Sequence, residues 1–262
     1  MAPLPRRQAA LALMAATLPL PRPSAGAGQD PDPLRPLWLD AARQRTVPLR
    51  LRLPAGDGPA PLLLFSHGLG GNREGATVWG EAWAAAGYLV LHLQHPGSDD
   101  SLLQHGSPLA LRRAFKAAMN PEELTRRADD VHFVLGRIGR ETALPDVVNA
   151  ATAIGLAGHS FGAVTVQLLA GERRPNQPPK DLDPRVRAVI ALSPSARHAD
   201  SASGLAQRFG HVLLPFFGIT GSRDDGMGLS DITAANRELP FRHMPADGGK
   251  YLLVFAGGNH LD

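Results

Sequence analysis

The 262-residue chain contains no cysteine. That excludes disulfides, a thiolate nucleophile, a thiolate metal site and a lipid-modified cysteine anchor. Lysine is scarce, with Arg supplying all but 3 of the 27 basic residues. Aromatic residues are also few, at 5%, and a charge excess is missing where it would matter. The formal net charge of +3 comes from the first 27 residues, which carry Arg6, Arg7 and Arg22 and no acid. The balanced remainder gives no support to nucleic-acid binding. The apolar stretch Ala9 to Leu20 is too short to cross a bilayer, which takes about 20 such residues. What is present, 44% hydrophobic and 19% charged residues, suits one large globular domain with an ample core.

Residues 1–27 read as a secretion signal: a basic start at Arg6-Arg7, a short apolar core, and the small-x-small site Ala25-Gly26-Ala27. The arginine pair permits a twin-arginine route, and a disordered tail is the plainer alternative. The expected product is secreted or periplasmic, without stable membrane insertion once the signal is removed. Residues 28–45, Pro- and Asp-rich up to Pro36, are expected to be a linker, and 46–262 the folded domain.

Along that domain, Val47, Leu49, Leu51 and Leu53 alternate with polar or Pro residues, as in a half-buried edge strand. Pro61–Ser66 and Tyr88–Leu93 are continuous apolar runs, as central parallel strands require. Between them, residues 79–86 form a helix closed by Gly87. Asn120-Pro121-Glu122-Glu123 opens a second helix with a cap, a first-turn proline and acids at its positive end. Further strands are expected at 186–192, 215–220 and 251–255. Alternating strands and helices predict a mostly parallel sheet with helices on both faces. The long connections 98–119, 193–211 and 222–249 each follow a strand, at the sheet edge where such folds place their sites.

The most informative segment is Gly158-His159-Ser160-Phe161-Gly162, between an apolar strand and a helix. A G-x-S-x-G at a sharp strand-to-helix turn is the nucleophile elbow of α/β-hydrolases, and its glycines leave room for the turn. A serine hydroxyl needs a base to take its proton and an acid to orient that base, in the chain order Ser, Asp, His. Downstream, Asp224 and then His260 each follow a strand, with Asp225 as the adjacent rival to Asp224. The candidate triad is Ser160, Asp224 and His260. The oxyanion donors are expected to be the N–H groups of Phe161 and of Leu69, in the loop His67-Gly68-Leu69-Gly70-Gly71. Gly68, His159 and Ser195 complete the expected substrate contacts. His67 is read as a structural tie for its loop.

Other clusters carry less. His92, His95 and His105 with Asp99 and Asp100 fit no tight metal motif, so no metal is assigned. Trp79 and Trp83 are expected in the core. Arg126-Arg127 reads as a solvated helix face or a tie to Asp129 or Asp130.

On Ser66–Gly71, His95-Pro96-Gly97-Ser98-Asp99, Arg127–Val131, the elbow and Gly257–His260, the chain resembles α/β-hydrolases of the predicted dienelactone hydrolase and platelet-activating-factor acetylhydrolase-like group. The resemblance runs from about Val47 to His260. It implies hydrolysis of carboxylic esters through an acyl-serine, with no metal and no organic cofactor. True dienelactone hydrolases have cysteine where this chain has Ser160, so their lactone substrate is not implied. Polyester hydrolases of this fold place aromatics where this chain has Leu69 and Ser193-Pro194-Ser195. Members of the group continue into a closing helix after the histidine, whereas two residues follow His260 here. Either the gene is truncated or His260 sits on a loose end. The expected substrate is a small or lipid-like ester of short to medium acyl chain, with Leu102, Leu103, Leu109, Leu111 and Leu205 supplying apolar surface. The rivals are a lipase, phospholipase or polyester hydrolase of the same fold, and a binding protein that has lost catalysis.

Overall fold

The computed structural model describes residues 34–55, 59–104, 106–140, 153–175, 177–196, 201–246 and 249–261. The expected leader, the start of the expected linker and His105 lie outside them. The described elements are β1 (Leu37–Asp40), β2 (Arg45–Arg52), β3 (Leu62–Ser66), α1 (Thr77–Ala85), β4 (Leu89–Leu93), α2 (Pro108–Ala118), α3 (Pro121–Arg137), β5 (Ile154–His159), α4 (Phe161–Leu169), β6 (Val186–Leu192), α5 (Ala202–Phe209), β7 (Phe216–Gly221), α6 (Ala234–His243) and β8 (Lys250–Phe255).

The eight strands form one sheet in the order β1-β2-β4-β3-β5-β6-β7-β8. Only the β1–β2 and β2–β4 pairings are antiparallel; β4 onward is parallel. All five residues of β3 and all five of β4 are buried, which demands cover on both faces. Helix α4 is apolar nearly all round and buried along most of its length, as a helix pressed between the sheet and α3 must be. The expected architecture, a mostly parallel sheet between helices, is the one observed.

Four expectations are corrected. The 28–45 span is not linker throughout, because it contains β1, whose Trp38 is buried in the core. In consequence β2 is not the edge strand: β1 pairs along its outer side. The tryptophans divide. Trp83 packs on Phe65, with ring centres 6.1 Å apart, but Trp79 is 38% exposed. Arg126 is exposed and paired with Glu122, whereas Arg127 is fully buried and binds neither Asp129 nor Asp130. Arg127 lies three residues after Leu124 and four before Val131, so helical geometry puts it on the apolar stripe of α3.

Asn120 caps α3 as expected, its side-chain oxygen accepting the Glu123 N–H at 2.8 Å. The long connections are not plain loops: they carry α2, α5 and α6. No described helix is long and apolar enough to cross a membrane.

Candidate active site

Ser160 follows the central strand β5 and caps α4 with φ 55° and ψ −113°, a backbone conformation that L-residues rarely adopt. The turn can be this tight only because both flanking glycines lack a side chain. A Cβ on Gly158 would strike the Gly162 carbonyl, and one on Gly162 would strike the Ser66 carbonyl of β3. The Ser160 N–H donates to the Leu192 carbonyl of β6 at 2.9 Å, which locks the elbow to the neighbouring strand.

The Ser160 hydroxyl donates to Nε2 of His260 at 2.8 Å. On the other side of the ring, Nδ1 donates to Oδ1 of Asp224 at 2.6 Å. Asp224 is buried, and Thr220 donates to its second oxygen at 2.7 Å. Burial would raise its pKa, but the hydrogen bond from His260, the charge of Arg237 and a hydrogen bond from Ser193 outweigh it and hold the carboxyl far below the usual range. Asp225 is exposed, and its carboxylate accepts from the Met227 N–H in a turn. The two rivals are thus separated by which way each faces.

His260 is not on a loose end. It is 7% exposed, and its carbonyl accepts from His159 Nε2 at 3.1 Å. The preceding loop is stitched to the end of β7: the Arg223 N–H donates to the Gly258 carbonyl, and the Gly257 N–H to Ser222 Oγ. The two chains cross so closely that a Cβ on Gly221 would strike the Gly258 carbonyl. His159 is itself held neutral, with its pKa pushed down to about 4, chiefly by burial and then by the nearby His260.

The loop after β3 meets the elbow from the opposite side. A Cβ on Gly68 would lie 3.4 Å from Cβ of Ser160 and 3.1 Å from Nδ1 of His159. His67 Nε2 accepts the His95 N–H at 3.0 Å, so the ring proton sits on Nδ1 and is donated to the Gly68 carbonyl at 2.6 Å. The same carbonyl accepts the Gly71 N–H. Because a trans peptide sets C=O and N–H on opposite sides, holding the Gly68 carbonyl back presents the Leu69 N–H forward. Phe161 is the first residue of α4, so its N–H has no acceptor within the helix. Leu69 and Phe161, the two expected oxyanion donors, line the same cleft as Ser160.

Arg127 contacts the surroundings of both expected donors and was not singled out as such by the sequence. Its Nη2 donates to the His67 carbonyl at 2.9 Å, its Nε to Ser98 Oγ at 2.9 Å, and its guanidinium lies 4.6 Å from the Phe161 ring centre. Burial lowers its pKa to about 9, which still leaves it charged at neutral pH.

A second Ser-His-Asp set sits beneath. Ser66 Oγ is 3.0 Å from His95 Nε2, and His95 Nδ1 is 3.0 Å from Asp130. All three side chains are completely buried, and Asp130 is shared with Arg43 and Arg45. Hydrogen-bond geometry alone does not mark a reactive serine. Access separates the two: Ser160 borders open space and Ser66 does not.

That space is a cleft of about 1540 Å³ containing Gly68, Leu69, His159, Phe161 and Ser195 in its walls. Ser195 contributes a main chain clamped by Gln167, which donates to its carbonyl and accepts its N–H. Its apolar lining includes Phe115, Met119, Leu124 and Val164. Of the loop leucines expected there, only Leu103 lines the cleft; Leu205 is in the core and Leu109 is 60% exposed. Helix α2 was unpredicted, so its Phe115 could not be placed. No group of metal-ligating side chains occurs among the described residues.

No family model and no curated protein matches the chain. Solved structures do. A Klebsiella pneumoniae protein assigned to the dienelactone hydrolases superposes with TM-score 0.61 at 15% identity, over 87% of each chain. An alpha-beta serine hydrolase homologue from Coxiella burnetii gives 0.58 at 14%, over 90% of this chain and 91% of that one. A thermophilic esterase of Thermogutta terrifontis, solved with butyrate, gives 0.56 at 15%, over 87% and 85%. This is the α/β-hydrolase fold. In it, the α/β-hydrolase sheet of this chain brings the ends of β3, β5, β7 and β8 to one edge, where all the residues above converge.

Proposed function

We propose that the protein is a serine hydrolase that cleaves carboxylic esters through an acyl-serine intermediate. One observation carries this reading: the unbroken hydrogen-bonded line from Ser160 through His260 to Asp224, opening on an apolar cleft. His260 accepts the Ser160 proton as the serine oxygen attacks the ester carbonyl. Asp224 stabilises the imidazolium that results, and the N–H groups of Phe161 and Leu69 hold the oxyanion. His260 then protonates the departing alcohol, and water repeats the sequence on the acyl-enzyme. These steps use only side chains and backbone of this chain.

The apolar wall of Phe115, Met119, Leu124 and Val164 suits an acyl group of short to medium length. The leader at residues 1–27 supports an exported enzyme. Nitrophenyl esters of increasing acyl length, run on wild type and Ser160→Ala, test the proposal. Hydrolysis of the shorter esters is expected, with a loss of at least about 10³-fold in the variant. An unchanged rate in the variant overturns the assignment of Ser160.

A second reading, larger esters, has its own observation: Val78 and Trp79 line the same cleft while 79% and 38% exposed. Activity confined to triglyceride emulsions or polyester films would favour it. Absence of Ser160 labelling by a fluorophosphonate in the folded protein would favour a non-catalytic binder.

A further inference from the structure

We propose that Arg237 is a positioning residue for His260 that keeps the base unprotonated further into the acid range. The proposal rests on the esterase reading above. Arg237 belongs to α6, inside a connection that the sequence presents as a loop, and no motif includes it. It is 4% exposed. Its Nε lies 3.0 Å from Oδ1 of Asp224, the same oxygen that accepts from His260. Its Nη1 donates to the Ser193 carbonyl at 3.0 Å, and weaker contacts at 3.4 Å reach the carbonyls of Asp224 and Asp225. The planar fork thus joins the loop after β6 to the loop after β7 at the position of the orienting carboxylate.

Its remaining contact gives the charge argument. Nη2 of Arg237 is 3.1 Å from Nδ1 of His260. While Nδ1 donates to Asp224, this contact sets one donor against another, and on protonation of the ring it sets cation against cation. Asp224 at 2.6 Å favours the imidazolium, and the guanidinium at 3.1 Å opposes it. The other titratable groups close by are His159, whose ring centre is 5.0 Å away and which is neutral, and Asp225, which faces Arg237 from the exposed side. The charge beside the ring is therefore nearly balanced. An Asp–His pair alone would leave it at one negative unit.

The fork also restrains Asp224, so loss of rate by itself does not test the proposal. The decisive readout is the acid limb of fluorophosphonate labelling of Ser160 against pH, in wild type, Arg237→Gln, Arg237→Met and Arg237→Lys. Removal of the cation in the Gln or Met variant is expected to move the limb about one pH unit higher, a tenfold change in proton affinity. Lys at 237 is expected to restore it to within a few tenths of a unit. A limb that stays at the wild-type position in the folded Gln or Met variant overturns the proposal, whatever the plateau does. So does failure of both to fold, which would make Arg237 a structural brace alone. Wild-type protein that is not labelled at all would sink the hydrolase reading instead. In that case the His260 ring titration, followed by NMR in the same proteins, tests the Arg237 proposal with the same expected shift and the same overturning result.

Discussion

The guanidinium of Arg127 sits 4.6 Å from the centre of the Phe161 ring and donates to the carbonyl of His67. One buried cation therefore touches both Phe161 and the loop that carries Leu69, the two proposed oxyanion donors. Arg127→Met keeps the stem but leaves the His67 carbonyl and Ser98 Oγ without their donor. The urea midpoint should report a loss of about 2–4 kcal/mol, and kcat should fall more than KM rises. Unchanged kinetics in a folded variant would remove this role.

His67 acts one step nearer the chemistry. In His67→Ala the Gly68 carbonyl loses its 2.6 Å donor, so the Leu69 N–H is less firmly aimed. Because the oxyanion is absent from the bound ester and forms only in the tetrahedral intermediate and the transition states flanking it, kcat should drop about 10–100-fold with KM nearly unaltered. Steady-state kinetics on one nitrophenyl ester decides this, and a rise confined to KM would contradict it.

The neighbouring aspartates offer an internal control. Asp224→Asn leaves His260 facing an amide and should lower kcat by on the order of 10³–10⁴. Asp225→Asn alters an exposed turn and should stay within about threefold of wild type. Equal losses in the two would mean that the orienting acid is misassigned.

Gly162→Ala tests the elbow as a packing problem. The added methyl has no place except inside the Ser66 carbonyl, which belongs to a fully buried strand. A stability loss above about 3 kcal/mol, or failure to fold, is expected in a denaturant titration.

Stability should also fall in mild acid. Burial lowers His92 to a pKa of about 3 and His95 and His159 to about 4, from an ordinary 6.5. Between about pH 6.5 and 4 the unfolded chain therefore binds protons that the folded chain refuses. The stability is whole above about 6.5 and declines below it, by up to about 1.4 kcal/mol per pH unit for each histidine. Asp130, held at about 2 by His95 and Arg45 despite its burial, keeps its own contribution until the pH drops below 3.8. His92→Leu removes a ring whose nitrogens make no hydrogen bond of normal geometry. It should flatten the slope of unfolding free energy against pH by one proton, and an unaltered slope would exclude His92 as a contributor.

Much of this was legible in advance because it rests on local rules. Consecutive apolar residues at 62–65 and 89–91 require a strand covered on both faces. Asn120-Pro121 requires a helix start, and Gly158-x-Ser160-x-Gly162 requires room around a tight turn. Asp224 and His260 could be proposed from their places after strands. Arg127 was legible too, since its spacing from Leu124 and Val131 puts it on the buried face, yet its charge suggested solvent. Arg237 was not legible, because α6 has almost no amphipathic pattern and carries Pro240 within it. Phe115 was legible but missed: α2 has an amphipathic pattern, a Ser107 cap and a first-turn Pro108.

By itself, then, the sequence indicated the central strands and the helices that flank them, the elbow and the candidate triad. Those follow from periodicity, steric room and chemistry, all of which act over a few residues. Tertiary structure alone decided that Asp224 rather than Asp225 meets His260, that Ser66–His95–Asp130 is sealed while Ser160 is open, and that two buried arginines stand behind the site. Each of these depends on burial and on distances between residues tens of positions apart, and neither quantity is written in any short stretch of chain.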